Sequence, residues 1–292
     1  MYGENPFTPV PPEAEKNYSN KMAKMKLRQV ITALTIFTVI SLLMAGSGCK
    51  KDSGPALKST YTLMVKDVLG VTGTVTFTET SSNLATIDIT LNGAPSGTHP
   101  AELRMNSAVE GGNVVITLNP VNASGKSSTD ETTLNYTQLI VYDGFISVSK
   151  SSSEPDVILA QGDIGGNVIT STNKSYVLDT VGAYLVSGSA LFQKRVNGTT
   201  LVTITLNGVI AGELYPSSIN LGSIESVGGG PVMKILNDID GKTGKGYTNI
   251  RQLDSGIDIT YDNWLVYDGY INIYQNSVSI SNIICHGNIG SN

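Results

Sequence analysis

The chain has 292 residues, a formal net charge of −5, only 15% charged residues, two cysteines and two histidines. Its length suffices to bury a hydrophobic core, and two cysteines exclude a disulfide-rich scaffold. Beyond residue 48, 14 basic and 21 acidic residues remain without any Lys/Arg cluster, a net charge of −7. Phosphate backbones are bound through such cations, so we expect no nucleic-acid partner.

The first 48 residues divide into two segments. Residues 1–21 are rich in proline and fit neither a signal peptide nor a core, which predicts disorder or a start assigned too early, with translation beginning at Met22 or Met25. Residues 22–48 have a basic beginning, an apolar stretch of about 15 residues and then small residues, as in a secretory signal peptide. The apolar stretch is short for a helix that spans a bilayer. The alternative is one unusually long basic region before the apolar stretch.

Cys49 directly follows the small residues 45–48, an arrangement that resembles a bacterial lipobox. We therefore expect lipidation of Cys49, with residues 49–57 as a polar tether and a membrane as the first partner. This predicts a protein of the bacterial cell envelope, lipid-anchored to the outer membrane on either its periplasmic or its surface face. An ordinary cleaved signal with an incidental cysteine is the alternative.

The remaining chain repeats itself in the same order of motifs. "GTVTF", "TLNG", "VYDGF" and "QGDIG" recur about 115–125 residues later as "GSALF", "TLNG", "VYDGY" and "HGNIG". Matching order with insertions only between motifs indicates a duplicated domain. We predict two units, residues 58–166 and 175–291, joined by the polar linker 166–175. Cys285 corresponds to Ala160 of the first unit, which favours a small buried core residue over a reactive thiol.

Within each unit the apolar residues alternate with polar ones at a period of two. Ala85, Ile87, Ile89 and Leu91 alternate with threonine and aspartate. The same alternation occurs in Val71–Phe77, Val114–Leu118 and Val202–Leu206. Such alternation is typical of half-buried antiparallel strands. The chain is thus expected to be all-β, with seven or eight strands in each of two tandem Greek-key, immunoglobulin-like sandwich or barrel domains.

The repeated "VYDG" predicts a tight hairpin turn in each unit. Asp143 and Asp268 precede Gly144 and Gly269, and Asp-Gly between apolar runs is a strong hairpin signal because glycine accepts a positive φ. We interpret these four residues as structural turn residues. A paired-carboxylate site is the weaker alternative, because the two aspartates lie in separate units.

Together these motifs resemble the CHRD domain, named from chordin and widespread in bacterial secreted proteins. The resemblance covers both units and implies immunoglobulin-like β-structure. Many members carry a His-x-His pair after a His-Pro turn, similar to the copper-ligand strand of copper–zinc superoxide dismutases. The matching positions here are Glu102 and Arg104 in the first unit and Ser218 and Asn220 in the second.

This departure argues against copper or zinc. The two histidines, His99 and His286, lie in different units, whereas a transition-metal site needs three or four converging ligands. His99 is interpreted as a turn residue, because Tyr215 replaces it in the second unit. Asp238 and Asp240 slightly resemble a calcium loop but lack its further carboxylates. We therefore predict no cofactor.

No recognisable nucleophile, phosphate-binding or redox motif occurs, and we predict that the protein is not an enzyme. Thr180, in "DTV", resembles a short O-glycosylation motif of Bacteroidota-type bacteria. Trp264 and Tyr267 are candidate glycan-stacking residues, although core packing is favoured for both. The leading hypothesis is a non-enzymatic, envelope-anchored module that binds an unknown envelope protein or glycan or is structural. The alternative is a degenerate member of a metal-dependent redox family.

Overall fold

The computed structural model describes residues 56–80, 84–131, 133–226, 229–279 and 281–292. The described chain is almost entirely β-structure, in two eight-stranded sheets that follow each other in sequence. This confirms the predicted all-β fold with two tandem units. Cys49, the segments 1–21, 22–48 and most of the tether 49–57 lie outside the described residues.

Unit 1 contains the first eight strands and unit 2 the second eight. Strands of unit 1 are β1 Lys58–Val65, β2 Thr72–Glu79, β3 Ala85–Asn92, β4 His99–Met105, β5 Val114–Val121, β6 Lys126–Glu131, β7 Gly144–Ser151 and β8 Glu154–Ile164. Strands of unit 2 are β9 Ile169–Thr180, β10 Ser187–Arg195, β11 Thr200–Asn207, β12 Leu214–Leu221, β13 Val232–Asp240, β14 Lys245–Ile250, β15 Asp268–Tyr274 and β16 Ile283–Gly290.

Both units have the same topology. The sheet order is β5-β4-β7-β8-β1-β2-β3-β6 in unit 1 and, strand for strand, the same order in unit 2. Strands β4, β5 and β6 follow one another while β7 returns beside β4, which is a Greek key. Unit 2 closes into a barrel through the pair Asp240–Lys245 between β13 and β14. The fold of the second copy therefore repeats that of the first.

The predicted alternation places the core correctly in most strands. In β3 the side chains of Ala85, Ile87, Ile89 and Leu91 are buried, whereas the threonines and Asp88 between them are not. Strand β5 differs, because Val114 is exposed and Ile116 only half-buried. A register shift next to Arg104 turns the start of β5 away from the core. Each unit encloses its own hydrophobic cluster.

In the described part of the chain, two short helices and one short 3₁₀ turn accompany the strands. Helix α1 spans Tyr136–Leu139 and helix α2 spans Tyr261–Trp264, and each lies between the sixth and seventh strands of its unit. Both begin with a capping box, Asn135 with Gln138 and Thr260 with Asn263. Neither helix was predicted from the sequence, although this spacing of capping residues could have indicated them. The 3₁₀ turn, Gly165–Asn167, follows β8 directly.

The prediction of hairpin turns at "VYDG" was wrong. Each motif leads out of its short helix into β7 or β15, and neither Gly144 nor Gly269 has a positive φ. The glycines are required for another reason: a Cβ on Gly144 would lie 2.6 Å from the Arg104 carbonyl oxygen, and one on Gly269 would lie 2.5 Å from the Tyr267 ring. The ring of the motif's own tyrosine and the backbone of a neighbouring strand fill that space.

The predicted linker is also corrected. Strand β9 begins at Ile169, within the stretch 166–175, and Ile169 pairs with Arg195 of β10. Residues 171–175 are exposed, but Asn173 pairs with Gln193 of β10, so the segment is the start of a strand and not a linker. Only the 3₁₀ turn and Val168 separate the strands of the two units.

Candidate functional site

The most concentrated set of polar contacts lies where the two units meet. Neighbouring strands are antiparallel, so alternate loops gather at opposite ends of each unit. The end of unit 1 at which β8 finishes faces the end of unit 2 at which β9 starts. We call this contact the junction, and it involves residues 106–110, 143 and 163–168 on one side and 195–198 and 249–251 on the other.

Arg195 lies at the centre of the junction and is fully buried. Its Nη1 lies 3.3 Å from Oδ2 of Asp163 and also donates to the carbonyl oxygen of Asn167. Its Nε and Nη2 atoms are buried with no hydrogen-bond partner among the described residues. Burial lowers the pKa of Arg195 and raises the pKa of Asp163, and the attraction between the two charges opposes both shifts.

Two more carboxylates of unit 1 accept hydrogen bonds from unit 2. Oε1 of Glu110 accepts the backbone N–H of Asn249 at 2.7 Å. Oδ1 of Asp143 accepts from Nδ2 of Asn197 at 2.6 Å, and Oδ2 of the same carboxylate pairs with Arg251. The acceptors in these three contacts all belong to unit 1 and the donors to unit 2. The junction is thus a charge-complementary contact that orients the two units.

Asp163 of unit 1 and its counterpart in unit 2, Asn288, make the same kind of hydrogen bond, but only Asp163 is charged. Oδ1 of Asp163 accepts the N–H of Ala108 at 2.7 Å, and Oδ1 of Asn288, at the equivalent position of "HGNIG", accepts the N–H of Ile224 at 2.9 Å. Both side chains hold the loop after the fourth strand of their unit. The second oxygen of Asp163 additionally meets Arg195, a use that the motif alone does not reveal.

The positions compared above with the histidine pair of the CHRD domain are occupied by side chains bonded to each other. Leu103 and Ile219 point into the cores, so their neighbours share the outer face of β4 and β12. In unit 1, Arg104 Nε donates to Glu102 Oε2 at 2.8 Å. In unit 2, Asn220 Nδ2 donates to Ser218 Oγ at 3.1 Å, and that hydroxyl lies 2.8 Å from the Tyr274 hydroxyl.

The two histidines lie in different units and have different surroundings. His99 is buried, with Nδ1 2.6 Å from the Lys150 carbonyl oxygen and Nε2 2.9 Å from that of Pro95. Tyr215 accepts the N–H of Ile210 in the corresponding loop of unit 2 at 2.8 Å, so both side chains bind the loop before their strand. His286 lies opposite Asp179 on the outer face of unit 2, and burial lowers its pKa.

The remaining candidate residues are placed on strand ends and in the core. Asp238 is exposed on β13, and the carboxylate of Asp240 accepts the N–H of Lys242 at 2.7 Å within a turn. Thr180 ends β9, and its hydroxyl donates to the Tyr184 carbonyl. The thiol of Cys285 is fully buried, and burial raises its pKa to about 12.

Neither candidate stacking residue is exposed. Trp264 is 0% and Tyr267 2% accessible, and their rings pack against each other with centroids 4.8 Å apart. Trp264 also meets Phe192 edge-on at 5.8 Å, so helix α2 covers the junction end of the unit 2 core. All the described aromatic side chains are buried or half-buried. Core packing of Trp264 and Tyr267 leaves them unable to stack on a sugar.

A shallow polar cavity of about 370 Å³ lies beside the junction, where Asn249, Arg251 and the loop 252–256 surround it. The cations that line it already have partners. Lys234 lies 2.7 Å from Asp254, and Arg251 pairs with Asp143. Among the described residues no group of three or more His, Cys, Asp or Glu side chains is placed to hold a metal ion.

These observations define an all-β protein of two Greek-key units joined end to end by a polar junction. No family model, curated protein or solved structure matches the chain. None of the described helices is long and apolar enough to cross a membrane.

Proposed function

We propose that this protein is a non-enzymatic binding module of a bacterial cell envelope, anchored to the outer membrane through lipidated Cys49. In this proposal the two units of the CHRD type act as one fixed body that recognises another envelope protein. Membership of the CHRD family rests on the order of motifs found in both copies. The anchor rests on residues 22–49, whose pattern is that of a lipoprotein signal.

The observation that carries the proposal is the nature of the exposed apolar side chains. They are aliphatic and include Leu69, Leu185, Ile210 and Val278 on loops, while the described aromatic side chains are buried or half-buried and none is exposed. Sugar rings are commonly bound by stacking on aromatic faces, whereas exposed aliphatic patches mark contacts with proteins or membranes. This favours a protein partner over the glycan that the sequence left open.

The metal-dependent alternative is disfavoured by the contacts at the four positions that correspond to the histidine pair of the CHRD domain. Glu102 is paired with Arg104, and Ser218 is bonded to Asn220 and Tyr274. A hydroxyl and an amide are poor ligands for copper or zinc, and the only carboxylate there is neutralised by its neighbour. Elemental analysis of the purified protein tests this directly. Stoichiometric copper or zinc would contradict the proposal.

The anchor is tested separately by replacing the lipidated residue. Cys49→Ser should release the protein from the outer-membrane fraction and abolish labelling with a radioactive fatty acid. Cys285→Ser is the matched control, because Cys285 is buried in the core of unit 2 and should not affect membrane attachment. Unchanged membrane association of the Cys49→Ser protein would contradict lipid anchoring.

A further inference from the structure

The end of unit 2 that lies opposite the junction carries a group of exposed aliphatic side chains. We call this surface the distal tip and define it by Leu185, Ile210, Leu214 and Val278. Their exposed fractions are 88%, 67%, 55% and 92%, respectively. They lie on or next to three of the four loops that gather at this end, between β9 and β10, β11 and β12, and β15 and β16.

The loops of the distal tip are held together. A Cβ on Gly208 would lie 2.3 Å from the Leu185 carbonyl oxygen, so the first two loops touch through their backbones. Gly241 donates its N–H to the carbonyl oxygen of Glu213 at 2.9 Å, which ties the second loop to the third. Side chains presented by such a braced backbone lose little further freedom when they bind.

Unit 1 is an internal comparison for this surface. Gly70 occupies the position of Leu185, and its neighbour Leu69 is the exposed leucine of the corresponding loop. The other three loops at that end, residues 93–98, 122–125 and 152–153, carry only small or polar residues and one proline. The duplicated fold therefore does not require aliphatic side chains at the distal tip. Exposed aliphatic side chains occur on or next to three loops at this end of unit 2 but on only one loop in unit 1, which points to a use beyond folding.

The charges around the distal tip are mainly acidic. Asp179, Glu213, Asp238 and Asp240 surround it, against Lys242 and Lys245. None of the salt bridges found in the described part of the chain involves Asp179, Glu213 or Asp238. A second copy of the chain would bring like charges together. A bilayer surface is bound by basic and aromatic residues next to the apolar ones, whereas the distal tip is mainly acidic and Tyr184, beside Leu185, is half-buried with its hydroxyl 3.5 Å from Gln275 Oε1.

We propose that the distal tip is the docking surface for a partner protein whose contact area is apolar and bordered by Lys or Arg. This assignment rests on the proposed function, because it names the surface through which the binding module acts. Leu185 and Ile210 supply the apolar centre of the contact, and Glu213 and Asp179 attract the partner's cations.

The experiment uses the full-length, lipid-anchored chain in its native cells. A photo-reactive amino acid replaces Ile210 at the distal tip or, as the matched control, Leu69 of unit 1. Position 210 should give an adduct with a single other protein that position 69 does not give. That protein, identified and purified, should then bind the purified chain with an affinity that falls as salt is raised.

Variants of the purified chain decide whether the distal tip makes the contact. Leu185→Asp and Glu213→Lys should each weaken binding by about tenfold or more, as expected for residues central to an interface, whereas Leu69→Asp should not. Unchanged affinity of the Leu185→Asp protein would overturn the assignment. So would an adduct with a second copy of the chain, or binding to phosphatidylethanolamine–phosphatidylglycerol vesicles that Leu185→Asp abolishes.

The remaining outcomes separate this inference from the proposed function. A partner that is captured only at Leu69 would leave a binding module in place but overturn the choice of surface. No adduct at either position, together with stoichiometric metal in the purified protein, would count against both.

Discussion

At the residue scale, Arg195 is the side chain whose role depends most on the tertiary structure. Its guanidinium is fully buried, and Asp163 is the one carboxylate within salt-bridge distance of it among the described residues. Two of its nitrogens lack partners there. A buried cation is tolerated only when a nearby opposite charge offsets its desolvation, so Asp163 and Arg195 are expected to depend on each other.

Asp163→Asn should destabilise the protein by roughly 3 kcal/mol, because it removes the carboxylate paired with buried Arg195 and leaves only the charge of Glu110 nearby. Asparagine can keep the bond to the Ala108 N–H, as Asn288 does in unit 2, so the loss isolates the charge. Arg195→Met, added to Asp163→Asn, should recover much of the free energy of unfolding. Urea denaturation of the three proteins measures both effects. A double variant as unstable as Asp163→Asn would refute this coupling.

Gly269→Ala should cost about 1–3 kcal/mol, because overpacking of this size forces neighbours to move. The added Cβ would lie 2.5 Å from the Tyr267 ring and 2.8 Å from the Asn220 carbonyl oxygen. Asp268→Asn is the control, since the exposed carboxylate accepts only from the side chain of Asn292 among the described contacts. That variant should change stability by less than about 0.5 kcal/mol. Thermal unfolding of both variants checks the order.

At the scale of elements, side chains connect the fifth and sixth strands of each unit. We call the boundary between these two strands the seam. Asn119 donates from Nδ2 to the Ser128 carbonyl at 2.7 Å and from its N–H to the Thr129 hydroxyl at 2.8 Å. Asn237 makes the same two bonds, to Tyr247 and Thr248. In unit 2 the backbones of β13 and β14 pair only at Asp240 and Lys245 among the described residues. The repeated asparagine therefore supplies part of the hydrogen bonding that a regular β-ladder would make between the two backbones.

Asn237→Ala should loosen the seam by about 1 kcal/mol, the net contribution of such a hydrogen bond. Amide hydrogen exchange should accelerate in β13 and β14 but remain unchanged in β10. Asn173→Ala serves as the control, because among the described contacts the side chain of Asn173 bonds only to the nearby Ser171 carbonyl. If exchange in β13 and β14 is the same in both variants, Asn237 does not close the seam.

At the scale of the whole molecule, the two units share a contact instead of a flexible linker. The carbonyl oxygens of residues 166 and 168 accept hydrogen bonds from the backbone N–H groups of Asn197 and Val196. The turn that connects the units is therefore bonded to the residues that follow β10 in unit 2. A fragment of unit 2 should therefore fold better when it starts at residue 168 than when it starts at residue 174. The shorter fragment lacks Ile169 and Asn173, which pair with Arg195 and Gln193 of β10. Equal unfolding midpoints of the two fragments would contradict this boundary.

Cys285 offers a second test at this scale. With a pKa of about 12, its thiolate fraction at pH 8 is on the order of one in ten thousand, and the side chain is inaccessible. Alkylation by iodoacetamide should therefore be negligible in the native protein and should follow the unfolding of unit 2 in urea. Rapid labelling at pH 8 without denaturant would show that the core of unit 2 opens readily.

Local patterns in the sequence were sufficient to predict the strands and the duplication. A period of two reports which face of a strand is buried, and the order of "TLNG", "VYDG" and "GDIG"/"GNIG" reports that two copies share one topology. Val114 shows where this reasoning ends, because a register shift set by a neighbouring strand moved it into solvent. The two helices of four residues were too short to produce a periodic signal.

The junction and the distal tip could be decided only by the tertiary structure. Asp143, Asp163 and Arg195 are separated by 20 to 52 residues in sequence, and nothing in their local patterns says that they meet. The same "VYDG" places Asp143 against Arg251 and Asp268 against Asn292, so identical local sequences acquire different partners. Backbone conformation depends on neighbours along the chain, whereas pairing of charges and exposure of loops depend on which distant surfaces the fold brings together.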